Sequence, residues 1–165
     1  MPVDIGASDY SALVQGLPWE FKQISSSIAA EQGGASAQTR YDFVSAEPVR
    51  RDAQGALYLR ADLTVSQFVE EGIAESRWRA LQEKAHPDMG LSYAWDYLIF
   101  RGQAIYHLHA ACSFSDRSFD TMVANLSAMF SRQEEAAEQT IRCNCGGGCR
   151  GGVTRQSIDS GGVPR

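Results

Sequence analysis

The chain has 165 residues, 44% of them hydrophobic and 21% charged, a balance that suits one domain with a buried core and excludes two full-sized domains. Its formal net charge of −5 argues against broad electrostatic adhesion to nucleic acid or acidic lipid. No apolar run approaches the roughly 20 residues of a membrane helix, and the opening segment MPVDIGASDYSALVQ lacks the basic and apolar stretches of a secretory signal, so a cytoplasmic location is expected.

Residues 1–16 are expected to form a flexible N-terminal segment, 17–141 a single α+β domain, and 142–165 a disordered tail. At the start of the domain, Pro18 suits the first turn of a helix. Leu17, Phe21, Ile24 and Ile28 recur at three- and four-residue steps before Gly33-Gly34, which predicts a first helix from Pro18 to Gln32. The serines at 25–27 weaken its intrinsic propensity, so packing must hold it.

Two strands are predicted next. Thr39 to Val49 alternates through Tyr41, Phe43 and Ser45, and Asp52-Ala53-Gln54-Gly55 is a turn signal. In Ala56 to Leu63, the residues Leu57, Leu59, Ala61 and Leu63 share one face while Tyr58, Arg60 and Asp62 share the other. An antiparallel hairpin with one wet face follows. Val65, Val69 and Ile73 then form a helical stripe, whereas Trp78 and Leu81 fall on another phase. A break near Gly72 to Ser76 would give two short helices or one kinked helix, with a short strand around Trp78 as the alternative. His86-Pro87-Asp88-Met89-Gly90 ends the segment.

The second hairpin carries the clearest pattern. Leu91, Tyr93, Trp95 and Tyr97 alternate, as do Tyr106, Leu108, Ala110, Cys112 and Phe114. A loop centred on Arg101-Gly102 pairs Tyr97 with Tyr106 and Trp95 with Leu108, placing all the large residues on one buried face. Ser115 or Asp116 can cap a last helix whose apolar stripe is Phe119, Met122, Val123, Leu126, Met129 and Phe130. The helix turns polar through 132–135 and frays before Cys143; the glycine-rich stretch beyond cannot bury enough apolar surface to order itself. The predicted architecture is therefore α-ββ-α-ββ-α, with an antiparallel sheet of about four strands (two hairpins) and helices packed on one face.

His107-x-His109 is the sharpest local feature. Residues two apart on a strand share a face, so both imidazoles stand opposite the aromatic side. The predicted register sets Asp96 across from His107, where it can orient that ring and raise its pKa. Two histidines and a carboxylate suit zinc or non-haem iron; the plain alternative is a set of polar residues on a wetted sheet face. The third histidine, His86, lies in the proline loop.

Cys143-x-Cys145-x3-Cys149 in the tail is a second candidate for metal, since thiolates select Cu(I) or zinc. It lacks a fourth ligand and the paired C-x2-C spacing of a structural zinc site, and incidental thiols in an unstructured tail are the alternative. Cys112 is expected to pack in the core, and cysteines in this compartment are expected to stay reduced, which disfavours a disulfide framework. Phosphate-loop, dinucleotide, nucleophile-elbow and H-E-x-x-H motifs are missing from the sequence.

The element order over residues 18–135 resembles type III secretion chaperones, a resemblance of topology that carries no motif and implies a dimer presenting its surface to another protein. Trp95-x-Tyr97-x-Ile99-x-Arg101 followed by Cys112-Ser113-Phe114-Ser115 resembles the small assembly protein of soluble methane monooxygenase clusters, over the hairpin and its exit alone. The expected function is a non-enzymatic protein-binding module, such as a small chaperone, adaptor or assembly factor, with another protein as partner and a homodimer as one form. The alternatives are a metal-binding protein using zinc or copper, and a small-ligand domain with an apolar pocket between sheet and last helix.

Overall fold

The computed structural model describes residues 10–28, 34–84, 94–130, 137–142 and 154–157. They form an α+β fold built on a seven-stranded sheet in which every neighbouring pair is antiparallel. In chain order the strands are β1 (Phe21–Ile28), β2 (Ala37–Ser45), β3 (Arg50–Asp52), β4 (Gly55–Leu57), β5 (Arg60–Gln67), β6 (Ala94–Arg101), β7 (Ala104–Ala111), β8 (Ala137–Arg142) and β9 (Thr154–Ser157). Helix α1 (Glu71–Lys84) separates β5 from β6, and α2 (Asp116–Phe130) separates β7 from β8. The sheet order is β1-β2-β5-β7-β6-β8-β9, with β3 and β4 forming a separate two-stranded ribbon. Among the described residues, no helix is long and apolar enough to cross a membrane.

The predicted first helix is a strand. Phe21–Ile28 pairs residue by residue with β2, from Phe21 opposite Ser45 to Ile28 opposite Gln38. The 3–4 spacing of Leu17, Phe21, Ile24 and Ile28 misleads, because Phe21 packs against the core while Ile24 is 61% exposed on the other face. The serines between them compete with helical hydrogen bonding, so the long ladder with β2 decides the outcome. The N-terminal boundary shifts too. Tyr10 and Leu13 belong to the core, the latter in a short 3-10 helix, Ser11–Val14. Asn125 of α2 ties that helix down by donating to the carbonyls of Leu13 and Gln15 at 2.9 and 2.8 Å.

The first predicted hairpin forms, with its turn at Asp52–Gly55 closing the β3–β4 ribbon. Gly55 takes φ +128 there, and Asp52 Oδ1 accepts from the Gln54 amide at 2.9 Å. Its second arm runs on as β5 to Gln67, absorbing Val65, which therefore belongs to a strand. Of the predicted Val65–Val69–Ile73 stripe, Val69 and Ile73 are 71% and 40% exposed. The other phase is the buried one: Ala74 and Trp78 are enclosed and Leu81 packs beside them in one continuous helix from Glu71.

The β6–β7 hairpin forms with its loop one position further along. Arg101 pairs with Ala104 around Gly102-Gln103, so Tyr97 faces Leu108 and Trp95 faces Ala110. Gly102 adopts φ +55, the left-handed backbone a two-residue hairpin loop needs. The register thus slips by two, which leaves every side chain on the face expected for it.

The two helices pack on opposite faces, not on one. On the first face, Tyr41, Phe43, Leu63, Tyr97, Ile99 and Leu108 meet Phe119, Met122, Leu126 and Phe130 of α2. Trp95 stacks on Phe119 with ring centroids 5.6 Å apart, and Ser115 caps the helix by accepting from the Ser118 amide at 3.1 Å. On the second face α1 covers only one end, where Trp78, Ala74 and Phe68 enclose Leu98 and Ile105. Trp78 stacks on Phe100 at 5.6 Å. The rest of that face is mostly polar, with Ile24 and Val44 among its apolar residues.

Strands β8 and β9 extend the sheet beyond β6, a place where the sequence suggests a fraying helix and a disordered tail. Thr154–Ser157 pairs with β8 from Ala137↔Ser157 to Thr140↔Thr154. An edge strand is held by backbone hydrogen bonds, so a polar stretch without alternation can form one. The expectation of reduced cysteines is also overturned. Cys112 is disulfide-bonded to a cysteine outside the described residues, and the sequence offers Cys143, Cys145 and Cys149 as its partner.

Candidate metal centre

The open end of the second face carries the chemistry. Asp96 of β6 and His107 and His109 of β7 alternate away from the α2 core onto this surface. The observed register places Asp96 directly opposite His109, with His107 one rung further and opposite Leu98. Both imidazoles converge on one carboxylate oxygen: His107 Nε2 lies 2.6 Å and His109 Nδ1 lies 2.7 Å from Asp96 Oδ1. The two rings meet edge to face, with centroids 6.1 Å apart. One ligand atom from each of the three residues lies within 4.8 Å of the other two.

The electrostatics follow from this contact. Burial opposes ionisation of Asp96, whose side chain is 14% exposed, but hydrogen bonds from His107 and His109 outweigh it and hold the carboxyl well below the usual carboxylate range. The same bond raises His109 above its ordinary 6.5 against the cost of burial, with the charges of Asp96 and Asp62 adding to the effect. Two donors on one ionised acceptor make short, charge-assisted bonds, which also fix the orientation of both rings.

The triad continues across the sheet. His109 is paired with Asp62 of β5, Asp62 with Asp42 of β2, and Asp42 with Ile24 of β1. Arg40 donates to Asp42 at 2.9 Å and to Asp62 at 3.3 Å. Burial raises the Asp62 pKa, opposed by Arg40 and by the two histidines. Sequence alternation puts Arg60 and Asp62 on the wet face, but the place of Asp62 beside His109 depends on β5 pairing with β7 across 36 or more intervening residues. No local pattern reveals that pairing.

Of the residues singled out in the sequence, Asp96, His107 and His109 come together in one cluster. His86 and the thiols of Cys143, Cys145 and Cys149 lie outside the described residues. The sheet–α2 interface, the expected place for an apolar pocket, is filled by fully buried Phe119, Met122 and Leu126. The α-ββ-α-ββ-α order shared with type III secretion chaperones is not the order observed. Comparison of the chain with protein-family models, with curated proteins and with solved structures returned no match.

Proposed function

We propose that this protein binds a divalent transition-metal ion through His107 Nε2, His109 Nδ1 and an Asp96 carboxylate oxygen. The observation that carries the reading is the convergence of three ligand atoms of the right types within 4.8 Å on one partly exposed sheet face. Metal–ligand bonds of about 2.0–2.2 Å on a tetrahedral ion put its ligands about 3.4 Å apart. Opening the two hydrogen bonds by under about 1 Å brings both histidine–aspartate distances to that spacing. Imidazole and carboxylate together suit zinc or ferrous iron better than Cu(I), which prefers sulfur.

Three protein ligands leave at least one position of the ion for water or substrate, the arrangement of catalytic rather than closed structural sites. The half-open setting supports this: α1 walls one side while the triad faces solvent on the other. The alternative of a protein-binding module has less to draw on. The large exposed hydrophobics among the described residues are Ile24, Leu57, Tyr58, Val69 and Ile73, spread over β1, the exit of β4, the segment before α1 and the first turn of α1.

The test is titration of chelator-treated protein with zinc by calorimetry and with Co(II) by visible absorption. One equivalent is expected to bind, with His107→Ala and His109→Ala each abolishing binding while the fold is kept. Binding that survives both variants but is lost in Cys145→Ser would move the ion to the tail. Absence of binding to the wild-type chain would end the proposal.

A further inference from the structure

The open half of the second sheet face leads from the triad into a groove of about 280 Å³, lined among others by Ile24, Arg40, Asp42, Val44, Arg60 and Asp62. A single rung joins the two features, since His109, Asp62, Asp42 and Ile24 are successive cross-strand partners. The neighbouring rung consists of Arg60, Val44 and Lys22, again successive partners. The groove therefore begins where the triad ends.

Its charges are unequally used. Arg40 is bound to both carboxylates of the groove, Asp42 and Asp62. Arg60 and Lys22 are exposed, and neither has an ion-pair partner among the described residues. Two arginines thus line the groove with two carboxylates, and Arg60 is uncommitted; Lys22, the cross-strand partner of Val44, adds a second uncommitted cation beside the groove. Between them stand two aliphatic side chains, Val44 and Ile24. The latter is 61% exposed on a polar face, where folding gives it nothing to pack against.

We infer that this groove seats a small organic anion, its carboxylate or phosphate oxygens on Arg60 and Lys22 and its apolar body against Ile24 and Val44. Arg60 supplies the forked donors that match such an oxyanion, and Lys22 adds a point charge. The volume admits a single-ring compound and little more, just below the usual range of small-molecule sites. As the substrate cleft of the triad, the groove rests on the metal reading; as an anion site it stands on Arg60, Lys22 and Ile24 alone.

The experiment uses the full-length, metal-free protein and three probes: benzoate, phenyl phosphate, and benzamide as the uncharged counterpart of benzoate. Amide chemical shifts are followed by NMR, and affinities by the same titration. Benzoate or phenyl phosphate is expected to bind and to shift the amides of residues 22–24, 42–44 and 60–62, and the tighter of the two names the oxyanion. Arg60→Gln is expected to weaken binding about tenfold, the worth of one charge-assisted hydrogen bond. Arg60→Lys should recover part of the loss. Neither substitution should change zinc stoichiometry, which also verifies that the variants fold. Failure of both anions to bind, equal binding of benzamide, or an undiminished affinity in Arg60→Gln overturns the inference. Anion binding without zinc binding would remove the metal reading and leave the groove; zinc binding without anion binding would do the reverse.

Discussion

Asp96→Asn is the substitution that tests the triad most directly. Asparagine keeps an oxygen in place but removes the charge, so two charge-assisted bonds of 2.6 and 2.7 Å become neutral ones. Charge assistance roughly doubles a hydrogen bond, a loss of about 1 kcal/mol for each of the two. The imidazoles are 37% and 39% exposed, so solvent screening reduces the total to about 1–2 kcal/mol. For a chain of this size that is a fall of roughly 2–8 °C in Tm. The pH dependence is more telling than the amount. The Asp96 pKa is depressed in the fold, so its contribution is complete above its ordinary value of 3.8 and is lost as pH falls through the folded value. The His109 pKa is raised, so its contribution is complete below 6.5 and is lost as pH rises through the folded value. The gap between wild type and variant should therefore be widest from about pH 4 to 6.5 and close on either side. Thermal unfolding followed by circular dichroism from pH 3 to 9, with chelator present, reads this out. A gap that stays constant from pH 4 to 9, or no gap at all, would refute the reasoning.

Four further substitutions test the fold around the site. Gly34 has φ +79, and a Cβ there would meet Ile73 Cγ2 at 2.9 Å, whereas Gly102 at φ +55 has nothing within 4 Å; Gly34→Ala should cost about 2–3 kcal/mol and Gly102→Ala about 1, with urea midpoints in the opposite order counting against the close approach of α1. Asn125→Ala strands the carbonyls of Leu13 and Gln15 and should cost about 1–3 kcal/mol, with proteolysis near residue 16 accelerated; an unchanged digestion pattern would show that the N-terminal turn is held by packing alone. Cys112→Ser opens a disulfide loop of 31 to 37 residues, whichever partner it uses, and loop-closure entropy sets the loss at about 4 kcal/mol. Dithiothreitol should reproduce that loss in the wild type and add nothing in the variant, and a wild type indifferent to the reductant would contradict the bond.

How the triad was legible in the sequence, while its surroundings were not, follows from the periods of the two signals involved. The sequence centres the hairpin loop one residue early, and this slides the register by two, pairing Asp96 with His107 where the structure pairs it with His109. A slip of two preserves the face of every side chain, so Asp96, His107 and His109 still fall together. A slip of one would have scattered them between core and solvent. Alternation along a strand is thus tolerant of the error that turn residues most easily cause. Periodicity gave no such protection at Phe21–Ile28, where four apolar residues at helical spacing are also compatible with a strand having Phe21 inward and Ile24 outward. Nor does any local pattern reveal on which face α1 packs. Its covering of Leu98, Phe100 and Ile105 makes one end of a strand face apolar and leaves Asp96, His107 and His109 at the other. The same strands that read as buried on one side and wet on the other are buried on both sides beneath α1, and that partial cover turns three polar residues on a sheet into a walled, half-open site. Bringing Asp62 and Arg60 to its border takes the β5–β7 pairing, a contact set by the whole fold.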